Sequence, residues 1–369
     1  MRELSIAGFK RFNSVSLCMA PLTVLAGLNG SGKTSIIHAL LLMRESIRAT
    51  SNGVVLLNGP FGLQLGTAED ISNWQSGDRR IKFEVVDEFG TYTWSLGIPD
   101  DEAMYLTLDA LPTDIPAGFE SNQGAFAYLA AERLGPRSSL SASSLPINQL
   151  EVGVQGEHSA QLLEALGNRP AQEDRRHPDS SSPYLLKYEV ERWLSEIARP
   201  VVIDAVHHAG ATAYAMKFKV PDGEWVRATN MGFGVSYALP IILAGLTAKR
   251  GGLVLVENPE AHLHPAGQSR MGTFLAWLAS KGVQVIVETH SDHVLNGIRR
   301  AIGEYEILSA SDAIVHFFNS EDSGHISKLQ FTNTGGISHW PTGFFDQYQI
   351  DTAALGRVRR KGSVNGVRH

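Results

Sequence analysis

Cysteine is almost missing from this chain: Cys18 stands alone in 369 residues. That excludes a disulfide framework and any zinc site built from several thiolates, and it suits a reducing cytoplasm. Long apolar runs are missing too. The longest mostly apolar stretch, 238–248, falls far short of the roughly 20 residues that a membrane helix needs. The start Met1-Arg2-Glu3-Leu4-Ser5 lacks the apolar centre of a secretory signal. The expectation is a soluble, cytoplasmic protein with no direct membrane insertion. Excess positive charge is also lacking, since 32 Lys and Arg face 38 Asp and Glu for a net charge of −6. Coating nucleic acid by bulk charge is therefore disfavoured, and DNA contact would fall to local patches. The candidates are Arg79, Arg80 and Lys82, and the tail with Arg357, Arg359, Arg360, Lys361 and Arg368. No sustained heptad tract predicts a long coiled coil. No H-E-x-x-H accompanies His262, His264 or His293, and no N-K-x-D selects guanine.

With 43 % hydrophobic residues, the chain can bury a real core, and its length allows two domains or one large domain with an insertion. Strand-like stretches at 4–9 and 22–26 are followed by a glycine-rich turn. A helix is predicted from Thr34 to about Arg48, where Ile36, Ile37, Leu40, Leu41 and Met43 recur at near-helical spacing. Residues 80–86 and 92–96 bracket Asp87-Glu88-Phe89-Gly90 and predict an antiparallel hairpin. Between 98 and 200, Ser, Pro and Gly interrupt helix-like segments at 125–133, 159–165 and 184–197, which reads as a mostly helical insertion. From Val201 strand signals (201–203, 213–220, 253–256, 283–287) and helix signals (237–246, 266–279) return, the alternation expected around a largely parallel sheet.

Gly27-Leu28-Asn29-Gly30-Ser31-Gly32-Lys33-Thr34 matches G-x-x-x-x-G-K-[ST] completely, between a predicted strand and a predicted helix. Its backbone amides and the helix start offer oriented positive ends to phosphate. Lys33 is placed for the β and γ phosphates, Thr34 for Mg²⁺, and Ser35 follows in the first helical turn. The apolar run Leu253-Val254-Leu255-Val256 ends in Glu257, with Glu260 three residues on. Glu257 at a buried strand end can orient Mg²⁺ or its water, and Glu260 can approach the water attacking the γ phosphate. Val285-Ile286-Val287-Glu288-Thr289-His290-Ser291 is a second strand with polar residues at its carboxyl end, where open α/β sheets present ligand groups, and His290 is placed to sense the γ phosphate. Gly232-Phe233-Gly234-Val235-Ser236 opens an apolar helical run and offers a second anion-binding helix start. One such segment covering the ATP of another subunit makes a head-to-tail pair.

Together these segments resemble the ABC-type ATPase heads of the SMC, RecF and OLD group. They are most similar to stand-alone bacterial AAA ATPases with an uncharacterised C-terminal domain, whose W-P-x-G-F-F-D-like segment is here Trp340-Pro341-Thr342-Gly343-Phe344-Phe345-Asp346. The resemblance implies an α/β head with a largely parallel core sheet, an antiparallel subdomain and a helical insertion. It divides the chain into the first part of the head (1–97), the insertion (98–200), the second part of the head (201–320) and a C-terminal extension (321–369). It makes Gly27 to Thr34 the Walker A motif, Gly232 to Ser236 the signature position with Gly234 and Ser236 toward nucleotide, and Glu257 the Walker B acid. Glu260 becomes the catalytic glutamate and His290 the switch histidine, and the Q-loop residue near the metal is Gln64 or Gln75, with Gln64 preferred because it follows the Asn58-Gly59-Pro60 turn. The Gly8-Phe9-Lys10-Arg11-Phe12 start looks like the first-strand motif of SMC-type heads, where basic and aromatic residues approach nucleotide. The implied activity is Mg²⁺-dependent ATP hydrolysis coupled to an ATP-dependent homodimer. A separate effector, such as a nuclease in bacterial antiviral defence, is the implied partner. The alternative reading is a regulatory module with slow turnover.

Overall fold

The computed structural model describes residues 1–49, 52–179, 184–208, 210–319 and 326–365. The chain opens with β1 (Glu3–Phe9), β2 (Phe12–Cys18), β3 (Leu22–Gly27), α1 (Lys33–Arg48), β4 (Val54–Leu56) and the short α2 (Ala68–Ile71). Then come β5 (Arg80–Val86), β6 (Thr91–Gly97), β7 (Tyr105–Ala110), β8 (Phe126–Leu129), β9 (Leu140–Ser141), α3 (Ser159–Leu166) and α4 (Leu186–Ile197). The next stretch holds β10 (Val202–His207), β11 (Ala213–Lys219), β12 (Trp225–Arg227), α5 (Phe233–Thr247), β13 (Leu253–Glu257) and α6 (Pro265–Ser280). The last elements are β14 (Gln284–Glu288), α7 (Asp292–Gly303), β15 (Ala313–Phe318), β16 (Ile326–Gln330) and α8 (Gln347–Asn365).

Three sheets result. The core sheet has the order β16-β15-β3-β14-β13-β8 and is parallel except for β16 at one edge. A six-stranded antiparallel sheet, β2-β1-β5-β6-β7-β4, faces it. Strands β9 to β12 form a smaller antiparallel sheet.

The core strands are buried on both faces, so their side chains divide by alternation. Leu253 and Leu255 join one apolar cluster, which includes Ile36, Leu40, Phe83 and Trp94; Val254 and Val256 join the other, with Phe274, Trp277 and Val294. Helix α1 thus lies between the two large sheets, while α4, α5 and α6 cover the other face of the core sheet. The helical stripe read in α1 is buried at Ile36, Ile37, Leu40, Leu41 and Met43. Among the described residues no helix is long and apolar enough to cross a membrane.

Two sequence expectations need correction. The segment 125–133 is no helix: β8 occupies 126–129 and pairs in parallel with β13, so this stretch of the expected insertion supplies an edge strand of the core sheet. All four of its residues are buried, and a short fully buried strand has no alternation to separate it from a helix. Strands β10 and β11, read as part of the parallel alternation, instead pair antiparallel with each other outside the core sheet. The basic residues Arg79 and Arg80 are tied to Asp101 at 3.0 Å and Asp109 at 3.5 Å. Arg368 lies outside the described residues, as do the side chains of 359–361.

Candidate nucleotide site

Parallel pairing brings the carboxyl ends of β3, β14 and β13 to one edge, with Glu288 opposite both Leu25 and Glu257. The phosphate loop leaves β3 there. Gly27 has φ 140°, and a Cβ on it would lie 2.3 Å from the Phe318 carbonyl oxygen, so only glycine lets the loop turn off against β15. Gly32, at φ 102°, caps α1 with no side-chain hydrogen bond, which leaves the amides of the helix start to an incoming anion. Lys10, Arg11, Asn29, Gly30, Gly32, Lys33, Thr34, Ser35 and Glu288 line a cavity of ≈ 260 Å³ at this point. A larger cavity, ≈ 500 Å³, lies at the amino ends of the strands among Met19, Leu253 and Gln284, away from these groups.

Lys33 is buried, and its Nζ donates to the carbonyls of Gly27 at 3.0 Å and Leu28 at 2.7 Å while lying 3.8 Å from Glu288. The Thr34 hydroxyl donates to Glu288 Oε2 at 3.1 Å. Glu257, one strand further along the edge, accepts from the Tyr128 hydroxyl at 3.0 Å and the Ala131 amide at 3.3 Å. Burial and the neighbouring Glu257 push Glu288 up to about 7, against the pull of Lys33 and Thr34. Burial raises Glu257 as well, opposed by its bonds from Tyr128 and Ala131.

Glu260 joins the two loops beyond the strands. Its carboxylate accepts from the Thr289 hydroxyl at 2.7 Å and the His290 amide at 2.8 Å. The His290 ring lies 3.9 Å from Glu288, and burial together with Lys33 lowers its proton affinity, favouring the neutral imidazole. Ser291 caps α7 by accepting from the amides of His293 and Val294, which fixes the chain just after His290. A second cavity of ≈ 300 Å³ lies beside the first, lined by Gly27, Leu28, Thr289, His290 and Phe317 together with residues 343–347. The Trp340–Asp346 segment is anchored there by Phe344, fully buried against Phe317 at 5.2 Å.

The donor set suits Mg²⁺ and a nucleotide phosphate. Two carboxylates at a buried edge repel one another until a cation lies between them, and oxygen ligands are what Mg²⁺ takes. The Ser31 hydroxyl, buried in the loop, has no hydrogen-bond partner among the described residues. Lys10 and Arg11 add positive charge at the same cavity. Lys10 Nζ is 2.7 Å from His38 Nδ1, and burial and Lys10 push His38 down to about 4, so the ring is a neutral acceptor.

The other expected residues are distributed as follows. Ser236 lies two residues into α5 from Gly234 and faces a small cavity with Met216, Phe218 and Leu239, so within one chain it does not meet the phosphate loop. Gln64 is exposed, in a bridge with Asn58, and no hydrogen bond joins it to Thr34, Glu257 or Glu288 among the described residues. His264 caps α6 through Nδ1, and His262 stacks on Phe233 at 4.9 Å. Sequence reading passed over Glu288 as a ligand, although the run Val-Ile-Val-Glu repeats the pattern that singled out Glu257. It also passed over Tyr128 and Arg133, which no motif marks. Arg133 donates to the carbonyls of Glu257 and Asn258, each at 2.7 Å, and burial brings it down to about 10.

No curated protein sequence matches the chain. Among solved structures it is similar to the SMC head domain from Thermotoga maritima, at 13 % identity over 90 % of this chain and 98 % of that one, with a TM-score of 0.43. It is also similar to the Smc head domain bound to the C-terminal domain of ScpA, derived from Pyrococcus furiosus, at 13 % identity over 97 % and 99 % of the two chains, with a TM-score of 0.49. Residues 308–355 match the family described as "Protein of unknown function (DUF3696)". Residues 22–296, most of the sequence and all of the edge just described, match the family described as "AAA domain, putative AbiEii toxin, Type IV TA system", and the chain belongs to that AAA-domain ATPase family.

Proposed function

We propose that the protein hydrolyses ATP in a Mg²⁺-dependent cycle, that two copies close head to tail around the nucleotide, and that the cycle controls a separate DNA-related effector. One observation carries the reading: the phosphate loop, through Lys33 and Thr34, meets Glu288 at an edge where Glu257 lies in register and Glu260 ties down Thr289 and His290. Lys33 now rests on the carbonyls of its own loop, and ATP would draw it to the β and γ phosphate oxygens. Thr34, Glu257 and Glu288 would hold Mg²⁺, which when bound supplies positive charge to the terminal phosphates. Each Glu260 oxygen that accepts one hydrogen bond keeps a second acceptor direction, so the carboxylate can orient a water and take its proton. Neutral His290 can donate to the γ phosphate from the other side of the same loop.

The position of Gly234 and Ser236 supports the paired arrangement. They open a 15-residue helix whose N-cap, Gly232, is exposed, and among the described residues the phosphate-loop cavity of the same chain does not include 232–236. The test is ATP turnover by the full chain with Mg²⁺ and with chelator, alongside its mass by light scattering with and without ATP. Turnover confined to the Mg²⁺ samples and a doubling of mass with ATP are expected; a constant mass or metal-independent turnover would reject the proposal.

A further inference from the structure

The loop leaving β8 grips the acidic loop and the start of α5 at once. Arg133 is 2 % exposed, and its guanidinium donates to the carbonyl oxygens of Ala130 at 2.8 Å and of Glu257 and Asn258 at 2.7 Å. Its Cζ sits over the Tyr237 ring, 5.3 Å from the centroid. Tyr237 in turn meets the His262 ring edge-on at 4.4 Å, and Phe233 stacks on the same ring. At Gly234 the backbones approach so closely that a Cβ would stand 3.1 Å from the His262 carbonyl oxygen. The segment 257–262 is thus held at one end by Arg133 and at the other by the first turns of α5.

That segment needs holding. Asn258 and His262 both adopt left-handed backbone, at φ 44° and 60°, which side-chain-bearing residues keep only where their surroundings fix them. The Asn258 Oδ1 is buried without a partner among the described residues. An arginine suits the position because its planar fork reaches several carbonyls in one plane and leaves its face for an aromatic ring; a lysine offers neither.

We propose that Arg133 is a positioning residue that makes the acidic loop and the start of α5 move as one body. A protomer's own nucleotide site, reached through Glu257 and Glu260, is thereby coupled to the surface with which it covers its partner's nucleotide. The inference rests on the head-to-tail pairing proposed above and adds the element that links the two sites within each chain.

Two variants of the full chain test it from opposite sides. Arg133→Lys keeps the charge but loses the fork, and Tyr237→Leu removes the ring from a half-buried position while keeping apolar bulk. Each is compared with wild type for thermal midpoint, Mg·ADP affinity, ATP-dependent mass and turnover against ATP concentration. The coupling predicts a kcat loss of about 10-fold in each variant with ADP affinity within about 2-fold, as expected for misplacement rather than lost binding. The Hill coefficient should fall from above one to one. The double variant should be no slower than the slower single variant, because both break the same link. A kcat within 2-fold of wild type, a retained Hill coefficient or multiplying losses overturns this inference and leaves the ATPase reading intact. A wild type that turns over ATP but stays monomeric overturns the paired reading, and the coupling falls with it; the mass measurement tells the two failures apart. If Arg133→Lys does not fold, Tyr237→Leu decides by the same readouts.

Discussion

Replacing Glu288 by glutamine should stabilise the nucleotide-free, metal-free protein at pH 8. Burial and Glu257 push this carboxyl from its ordinary 4.5 up to about 7, so the fold holds its ionised form at a cost. The folded-state value lies above the unfolded one, and the folded protein therefore binds the proton more tightly. Stability falls as pH rises through the window from about 4.5 to about 7, and the whole penalty is present at pH 8. At about 1.4 kcal/mol for each factor of ten in proton affinity, that penalty is on the order of 3 kcal/mol. The amide removes the charge and keeps an oxygen to accept from the Thr34 hydroxyl. The gain should thus be roughly 2–3 kcal/mol at pH 8 and under about 1 kcal/mol at pH 5, where the wild-type carboxyl is already protonated in the fold. For a chain of this length, with about 2 cal/mol/K of unfolding entropy per residue, the pH 8 gain raises Tm by about 3–4 °C. Scanning calorimetry with chelator at the two pH values measures it. An unchanged or lowered Tm at pH 8, or an equal gain at both pH values, would refute the placement of a strained carboxylate pair at the strand ends. The same variant should lose Mg²⁺-dependent turnover, since the charge that destabilises the empty site is one that would hold the ion.

Three further outcomes are expected. Lys33→Ala removes the charge aimed at the terminal phosphates, so ATP affinity and turnover should both fall by at least about 10-fold; equal values in equilibrium binding and phosphate release would reject the phosphate-loop assignment. Gly232→Arg, at the exposed N-cap of α5 where an added Cβ meets nothing within 4 Å, places bulk and charge on the surface proposed to cover the partner's nucleotide. ATP should then no longer double the mass in light scattering, while the circular dichroism spectrum stays that of wild type, and an unchanged mass response would count against the composite site. Gly27→Ala forces a Cβ toward the Phe318 carbonyl at a positive φ and should cost at least about 2 kcal/mol in denaturant unfolding, with ATP binding lost as well; near-wild-type stability would mean that the loop does not turn against β15 as described.

How much of this was readable beforehand follows from how local each signal is. The phosphate loop is a contiguous chemical requirement, and it stood out with its flanking strand and helix. Glu257 stood out because it ends an apolar run, and Glu260 and His290 because they follow such runs within three residues. Which acid meets Thr34 was not legible: that depends on strand order, and β14, not β13, lies next to β3 in the sheet. Tyr128 and Arg133 escaped for a related reason. They sit in and just beyond a four-residue buried strand whose membership of the core sheet is decided by pairing with β13, far away in sequence. The smaller antiparallel sheet was likewise hidden, because the strand signals at 201–203 and 213–220 carry no mark of the partner they choose. The placement of Phe344 against Phe317, which brings the C-terminal segment beside His290, is again a tertiary contact with no local signature.

The central claim is that Glu260 serves hydrolysis in an ATP-gated pair, and Glu260→Gln tests it most directly when turnover and mass are followed in one sample. The amide keeps the shape of the carboxylate but is not an effective base, while Lys33, Thr34, Glu257 and Glu288 remain to hold Mg·ATP. Turnover should fall by about 10²-fold or more, and light scattering after removal of excess ATP should show an ATP-loaded dimer that outlives that of wild type. Near-normal turnover would move the catalytic role away from Glu260, and lost turnover with no ATP-dependent dimer would contradict the nucleotide-gated pairing.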